Sequence, residues 1–515
     1  MAPGAAVVWE TKDLAPRAAT PVLFDGYLYG PNQAAGCLAC IDAKDGSTKW
    51  TQKLEAAQLT LVGGQPTGET PVPQLIVQSR TGEVTLVEAS PKAFKSLGSF
   101  KPLDSDECWT EPMVAGKRLF VRSWEGSLVA LDPATLVQPP AAVVPLSADS
   151  GFASQRALSA DSATIPPFKS AASTDWYQWR GPNRNGISPE TGLNLDWEKT
   201  PPKLLFRREI GYGYASASVA GDRLYTLGWS WRTGKDTIYC LNANNGDIVW
   251  SHTYAANAAC WLDVGRGNIP QYMGTRATPY LDGERLYSLA GDGQTFCLDA
   301  ASGKIIWYRD LKADKDANWH KEWFISGSPL VVGNTLILTS KGAGIGVDKM
   351  TGKTLWSVGS GVAGQASAVL FTSGGDRQPI SKQPEIGVSP RLLLLRSTNE
   401  VFAADPADGK VVWRYSWGTS YDSADPLIIG ENVLLSGAYN KNARLVTITP
   451  GQAKDAKPPE PIWSNGKVLP HVASPILYQG FVYTPSGYLG DSGLACVDPK
   501  DGSFKWTQKT PGECW

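Results

Sequence analysis

The residues able to do chemistry are few and scattered. Three histidines, His252, His320 and His471, share no metal-binding or nucleophile–base spacing. Of eight cysteines, Cys37 and Cys40 form a CxxC in a strand-like stretch, where a spacing of three puts the thiols on opposite faces. No second CxxC completes a zinc site. Cys40, Cys240, Cys297 and Cys496 recur at one position of a repeat, which reads as small core residues. Gly342-Ala343-Gly344-Ile345-Gly346 leads to Asp348 and a hairpin, not to a helix, so it reads as a turn and strand instead of a phosphate loop. The DAKDGS and DPKDGS turns lack the spaced ligands and closing Glu of a calcium loop. No G-x-S-x-G elbow occurs. What remains is aromatic density in long connections: GWSWRTGKD (228–236), ANWHKEW (317–323) and YSWGTSYDSAD (415–425). Such loops suit a sugar, a peptide or a protein partner, or they fill gaps between wide elements.

The elements that carry these loops follow from a repeat. ACIDAKDGSTKWTQK (39–53) returns as ACVDPKDGSFKWTQK (495–509), matching at 12 of 15 positions. Weaker relatives lie between. Asp42, Asn242, Asp299, Asp348, Asp405 and Asp498 are each followed by a Gly four residues on and a Trp eight residues on. The acid or amide accepts N–H bonds from the turn and the Gly supplies its positive φ. A strand rich in β-formers then leads to the Trp. Upstream of each hairpin, phrases such as TPYLDGERLY (278–287) and SPILYQGFVY (474–483) predict two more strands. Each unit is therefore a four-stranded antiparallel meander, and Trp-to-Trp steps of 57, 49, 57, 50 and 43 residues match a propeller blade.

Nine units can be counted, but the first and last are near copies, so the expected fold is all-β with an eight-bladed ring, either circularly permuted or cut from tandem propellers. The likeness of the copies favours tandem propellers, and the two are expected to compete for one ring position. The expected divisions are a leading blade at 1–53, two degenerate blades at 54–136, an Ala/Ser/Pro-rich linker at 137–174, and a closing strand with six blades at 175–515. PPKLLFRREI (201–210) supplies the outer strand missing from the unit at 105–135. A net charge of −1 argues against a phosphate-tracking nucleic-acid protein. No apolar run reaches membrane-span length. The N-terminus lacks a basic start and long apolar segment, so no signal peptide is expected in this chain.

The Asp-x-x-x-Gly-x-x-x-Trp hairpin, with WRGPNRNG (179–186) followed by SPETGL (188–193), resembles the PQQ-like (quinoprotein-type, BamB-like) β-propeller repeat proteins. The resemblance implies that Trp50, Trp250, Trp307, Trp356, Trp413 and Trp506 are structural, docking on neighbouring blades. It implies a periplasmic or extracellular setting. Quinoprotein alcohol dehydrogenases of this kind stack their quinone on a disulfide of adjacent cysteines, and no two cysteines here are adjacent. The expected function is thus non-catalytic binding or assembly of protein partners, without catalytic residues, metal or cofactor. The alternatives are a quinone-dependent alcohol or sugar dehydrogenase and a carbohydrate-binding propeller. A ligand, if present, is expected at Trp179, Arg180 and Asn183 with Trp319, His320, Trp323, Trp417, Tyr421 and His471 at the loop face. The opposing reading makes Trp179 and Arg180 a seal on one end of the ring.

Overall fold

The computed structural model describes residues 14, 21–32, 36–63, 73–105, 108, 110–132, 175–182, 184, 187–188, 190, 197, 201–256, 274–314, 324–340, 342, 344–359, 362–363, 365–372, 391–417, 423–436, 443–448, 459–468, 474–478, 480–486 and 493–509. Among these residues the strands form nine sheets, antiparallel throughout except for one short parallel strand in blade 2. Blades 1 and 2 span 22–53 and 56–100; blade 3 joins 113–132 to the outer strand Lys203–Glu209. Blades 4 to 9 span 218–255, 280–310, 330–358, 369–416, 427–465 and 476–509. Each has four strands in meander order, except that blade 2 gains a fifth, the short strand Ile187–Ser188. The first strands of neighbouring blades approach one another, which places them innermost.

The hairpin between third and fourth strands forms as its residue types dictate. The Gly amide donates to the carbonyl of the acid or amide in all six copies (Gly46 to Asp42, Gly303 to Asp299, Gly409 to Asp405, for example) at 2.8–2.9 Å. The acid or amide side chain in turn accepts an N–H from the turn, as Asp42 does from Lys44 and Asp405 from Ala407. A register shift follows the same position in each of these blades, between Cys40 and Ile41 or Cys297 and Leu298. Just before it, the residue facing the Trp is small: Cys40, Cys240, Cys297, Gly346, Ala403 and Cys496. A Cβ on Gly346 would lie 2.1 Å from the Trp356 ring. The cysteines are therefore spacers beneath indoles, and burial pushes the Cys40 thiol up to about 12.

Blades are joined by the indoles. Trp250 Nε1 donates to Ala300 O (2.9 Å), Trp307 to Lys349 O (3.0 Å), Trp356 to Pro406 O (3.1 Å), and Trp50 to Ser90 O (2.7 Å), each in the next blade. Trp463 makes the same bond to Pro499 O at 2.8 Å. The ring lies against the receiving glycine: a Cβ on Gly303 would meet Trp250 at 2.5 Å, and on Gly409 would meet Trp356 at 2.4 Å. Trp413 is buried and stacks on Tyr415 with rings 5° apart, while its Nε1 bonds to nothing among the described residues. The Trp506 side chain lies outside the described residues.

The expected eight-bladed circuit is corrected to nine. Blades 1 and 9 are neighbours and not rivals: Tyr483 donates its hydroxyl to Ala43 O at 2.7 Å, and Leu28, Ala39 and Ile41 pack with Tyr483 and Cys496. The reason lies in the contact itself. Tyr225 to Ala300 O and Tyr287 to Lys349 O join other neighbours in the same way. Contacts between nearest neighbours do not encode how many units the ring holds, so two near-identical copies each find a place.

Gly303 and Gly283 separate docking from backbone strain. Both have positive φ (72° and 57°), but nothing lies within 4 Å of a Cβ on Gly283. Gly283→Ala is expected to cost only the left-handed backbone penalty, about 1–2 kcal/mol. Gly303→Ala must in addition displace Trp250 and should lower the denaturant midpoint further. Equal midpoints for the two variants would remove the indole–glycine contact as the source of blade cohesion.

Candidate functional site in the ring channel

The segment after Asp175 does not belong to any blade repeat, yet it pairs with several. Trp176 exchanges both backbone hydrogen bonds with Val219, in the first strand of blade 4 (2.9 and 2.8 Å). The Leu281 amide, in the first strand of blade 5, donates to Tyr177 O at 2.9 Å, and Tyr177 packs edge-on against Tyr280. Ile187 and Ser188 then run parallel to Leu61 and Val62 of blade 2. Ser188 Oγ donates to Val114 O (3.1 Å), and the Glu190 carboxylate accepts from the Gly116 amide of blade 3 (2.8 Å). The segment thus lies along the inner edges of four blades, where unpaired N–H and C=O groups would otherwise face the channel.

Around it runs a belt of side-chain oxygens at the entrance to the first strands. The Ser216 amide donates to Thr278 Oγ1, Thr278 to Ser328 Oγ, Ser328 to Ser367 Oγ, Ser367 to Asp425 Oδ1, and Asp425 to Ser474 Oγ. All five bonds are 3.1–3.2 Å long and each links one blade to the next. Four of these oxygens come from Thr278, Ser328, Asp425 and Ser474, each followed by Pro, and the fifth from Ser367, followed by Ala368.

Within the segment, Trp179 is half-buried between two guanidinium groups: Arg180 Cζ is 5.5 Å and Arg184 Cζ 5.3 Å from its ring centroid. Arg180 Nε lies 3.9 Å from the Glu111 carboxylate at the mouth of blade 3. Burial raises the Glu111 pKa despite that arginine, and burial lowers that of Arg184, with Asp425 opposing the shift. Arg180 and Arg184 both adopt positive φ (61° and 51°), a conformation held by the turn around Gly181 and Pro182. Gln178, fully buried, donates to Pro182 O and accepts from Arg184.

Trp417, expected at a loop face, is 4% exposed and lies under the Arg396 guanidinium at 4.7 Å. It belongs to the wall between blades 7 and 8. Asn183, Trp319, His320, Trp323, Tyr421 and His471 lie outside the described residues. Three further polar groups stand out. Arg184 lies in the same WRGPNRNG stretch as Arg180, four residues on, and was not among the expected ligand residues. Arg122 is buried and donates to Ala215 O, Gly211 O and Thr226 Oγ1 of the neighbouring blade. Asp236 is buried nearby and accepts from the Thr275 hydroxyl and the Thr237 amide. Only strand alternation, which points Arg122 and Asp236 inward amid apolar neighbours, hinted at them.

Burial lifts the Asp236 carboxyl to about 6, against the pull of Thr275, Thr237 and Arg122. A carboxyl raised from about 3.9 in the unfolded chain binds its proton more tightly when folded. This group's contribution to stability is therefore greatest below about pH 4, declines as pH rises towards 6, and is level above. The span corresponds to at most about 3 kcal/mol. Relative to Asp236→Asn, the wild type should gain melting temperature on going from pH 7 to pH 5. A constant gap between the two proteins would count against a titrating Asp236.

The comparisons with known proteins agree with this architecture. The family profile described as outer membrane protein assembly factor BamB matches residues 2–139 and 234–508. A quinohemoprotein alcohol dehydrogenase, ADH-IIG, of Pseudomonas putida is 29% identical over 178 residues, 32% of this chain and 21% of that protein. A tetrathionate hydrolase of Acidithiobacillus ferrooxidans is 25% identical over 213 residues, 40% of this chain and 38% of that protein. This chain thus spans well under half the length of either relative. Among solved structures, BamB from Moraxella catarrhalis superposes with a TM-score of 0.43 at 16% identity, covering 80% of this chain and 88% of that one. The quinohemoprotein alcohol dehydrogenase of Comamonas testosteroni gives 0.41 at 11%, covering 93% and 72%. With its docking indoles, its meander blades and a profile match over most of its length, the chain belongs to the PQQ-like propeller family described as outer membrane protein assembly factor BamB.

Proposed function

We propose that this chain is a non-catalytic scaffold that binds protein partners outside the cytoplasm. The observation that carries the reading is the axial segment: the inner edges of blades 2 to 5 are met by the chain's own Trp176, Tyr177, Ile187, Ser188 and Glu190, which leaves recognition to the loop face. That face offers suitable side chains. Trp124 and Tyr212 pack edge to face at 5.3 Å, and Arg276 lies over Tyr214. Trp231, at the tip of the long blade 4 hairpin, is 49% exposed with Arg232 over its ring. Tryptophan, tyrosine and arginine are the residues on which protein interfaces concentrate their energy. No helix among the described residues is long and apolar enough to cross a membrane.

The quinone platform of the dehydrogenase relatives does not fit the residues present. Cys40, Cys240 and Cys297 each face an indole across a strand pair, and Cys37, Cys108 and Cys496 are also buried. None has an adjacent cysteine to oxidise with. Dye-linked oxidation assays with added PQQ, calcium and a panel of alcohols and sugars should show no saturable turnover. Saturable turnover would overturn the scaffold reading. Cross-linking in the native host should place partner peptides near Trp231 and Tyr212, and Trp231→Ala with Arg232→Ala should remove those cross-links while leaving the melting temperature unchanged.

A further inference from the structure

We propose that the outer strand of blade 5, Ile305–Asp310, pairs with the same strand of a second copy of this chain, antiparallel about a twofold axis at Trp307. The inference does not depend on the scaffold reading, because it concerns the outer rim and not the loop face.

An outermost strand presents N–H and C=O groups that no neighbour pairs, and proteins guard such edges with charge, lysine above all. Blades 1 and 9 carry Lys49 and Lys53, Lys505 and Lys509 in their outer strands. In blade 5 the same stretch reads Ile305-Ile306-Trp307-Tyr308, and no described strand pairs with its outer side. The residue after the docking Trp is Thr51, Ser251, Ser357, Arg414 or Ser464 in blades 1, 4, 6, 7 and 8, so docking requires no aromatic there. Blade 5 places Tyr308 at that point. It is 49% exposed, although its ring rests on Phe296 at 4.9 Å and its hydroxyl donates to Gln294.

The apolar surface is also gathered in one place. Of the eight exposed large hydrophobic side chains among the described residues, five lie here: Ile305, Ile306 and Tyr308, with Met350 and Leu355 of blade 6. The two rims are held together by Trp307 bonded to Lys349 O and Arg309 bonded to Gly352 O. Single exposed hydrophobics need no explanation, but a group of them along an open edge marks a contact.

The strand is complementary to itself. The Leu311 amide donates inward to Gly293 O, so strand alternation turns the N–H and C=O of Tyr308 and Asp310 to the open side. With the axis at Trp307, Ile306 meets Tyr308 and Lys304 meets Asp310, and symmetry makes each contact twice. Aromatic with β-branched, and cation with anion, are the favourable cross-strand pairs. The register shift at Ile306 loosens the ladder at that end, where the contact rests on side chains. An axis one residue earlier sets Lys304 against Tyr308, and one residue later sets Ile306 against Asp310. Lys304 is exposed, and Asp310, which accepts the Lys312 amide at 2.9 Å, has carboxylate capacity for more. This charge match within one strand selects a second copy as the occupant.

Sedimentation velocity of the full chain over a range of concentrations tests the proposal, and a reversible monomer–dimer equilibrium is expected. Ile306→Lys with Tyr308→Lys, which guards the edge as blades 1 and 9 are guarded, should weaken the dimer by at least about tenfold. Its melting temperature at low concentration should match that of the wild type. Lys304→Asp and Asp310→Lys should each weaken self-association, because like charges then meet at both ends of the strand pair. Mixed in equal amounts, these two variants should dimerise again. A wild type that stays monomeric at every concentration overturns the proposal, even if its edge takes up a strand of another protein. A dimer that survives the paired lysine substitutions overturns it too, as does a mixture of the charge variants that fails to associate. If Asp310→Lys fails to fold, Lys304→Asp and the paired lysine substitutions carry the test.

Discussion

The ring stands on one contact: an indole that reaches over the blade boundary, donates to a carbonyl beside the next hairpin's acid, and rests on that hairpin's glycine. Each part constrains another. The glycine must lack a Cβ because the indole occupies its place, as the 2.5 Å approach at Gly303 shows. Its positive φ closes the turn that presents the carbonyl. The residue facing the indole must be small, hence the cysteines, Gly346 and Ala403. The side-chain oxygen that accepts an N–H from the turn then fixes the acid or amide. A phrase of nine residues thereby specifies a hairpin and its neighbour together. Because each contact involves only adjacent blades, stability is distributed around the ring and no single blade acts as its nucleus.

A second set of bonds holds the inside. The belt from Ser216 to Ser474 joins blades 4 to 9 near the axis, and the axial segment joins blades 2 to 5. The two overlap at blades 4 and 5. Blades 2 and 3 carry little of the hairpin phrase, so the axial segment supplies cohesion where the repeat is weakest. The chain reaches the channel from Asp132, the end of the third strand of blade 3, and returns as that blade's outer strand at Lys203. An insertion within one blade thus contributes to four.

The hairpins and the four-stranded unit were legible because their causes are local: acid, glycine and aromatic at fixed offsets. The outer strand at Lys203–Glu209 was legible because blade 3 visibly lacked one. The number of blades was not, since Tyr483 meets Ala43 by the same bond that joins any other pair. The channel segment could be picked out as foreign to the repeat, and Trp179 and Arg180 with it. Its pairing with Val219 and Leu281 is backbone to backbone, however, and leaves no mark on side-chain choice. Trp417 misled for a related reason. An aromatic between strands looks like a loop residue, and only the Arg396 stacked on it, reaching across to Ala424 and Ser436, places it in the wall.

That arginine belongs to a pattern which the strand register makes visible. Three residues beyond the second-strand residue whose partner precedes the hairpin acid, most blades carry Pro31, Leu227, Leu289, Thr339, Ser436 or Pro485. Blades 2, 3 and 7 carry Gln78, Arg122 and Arg396. Among the blades whose docking position is described, these are the ones without an indole bond. Blade 3 has Phe206 at the position of the docking Trp, against Gly246, blade 2 packs Phe100 on Trp197, and Trp413 of blade 7 finds no acceptor among the described residues. In each, the long polar side chain donates to the following blade: Gln78 to Arg122 O, Arg122 to Ala215 O and Gly211 O, Arg396 to Ala424 O and Ser436 O. A bond lost at the outer rim is matched by one or more made near the loop end of the second strand. Burying a guanidinium is costly, as the fall of Arg122 to about 10 indicates. Such a group sits in a blade wall where its bonds to Ala215 O and Gly211 O, or to Ala424 O and Ser436 O, hold a junction that the indole does not.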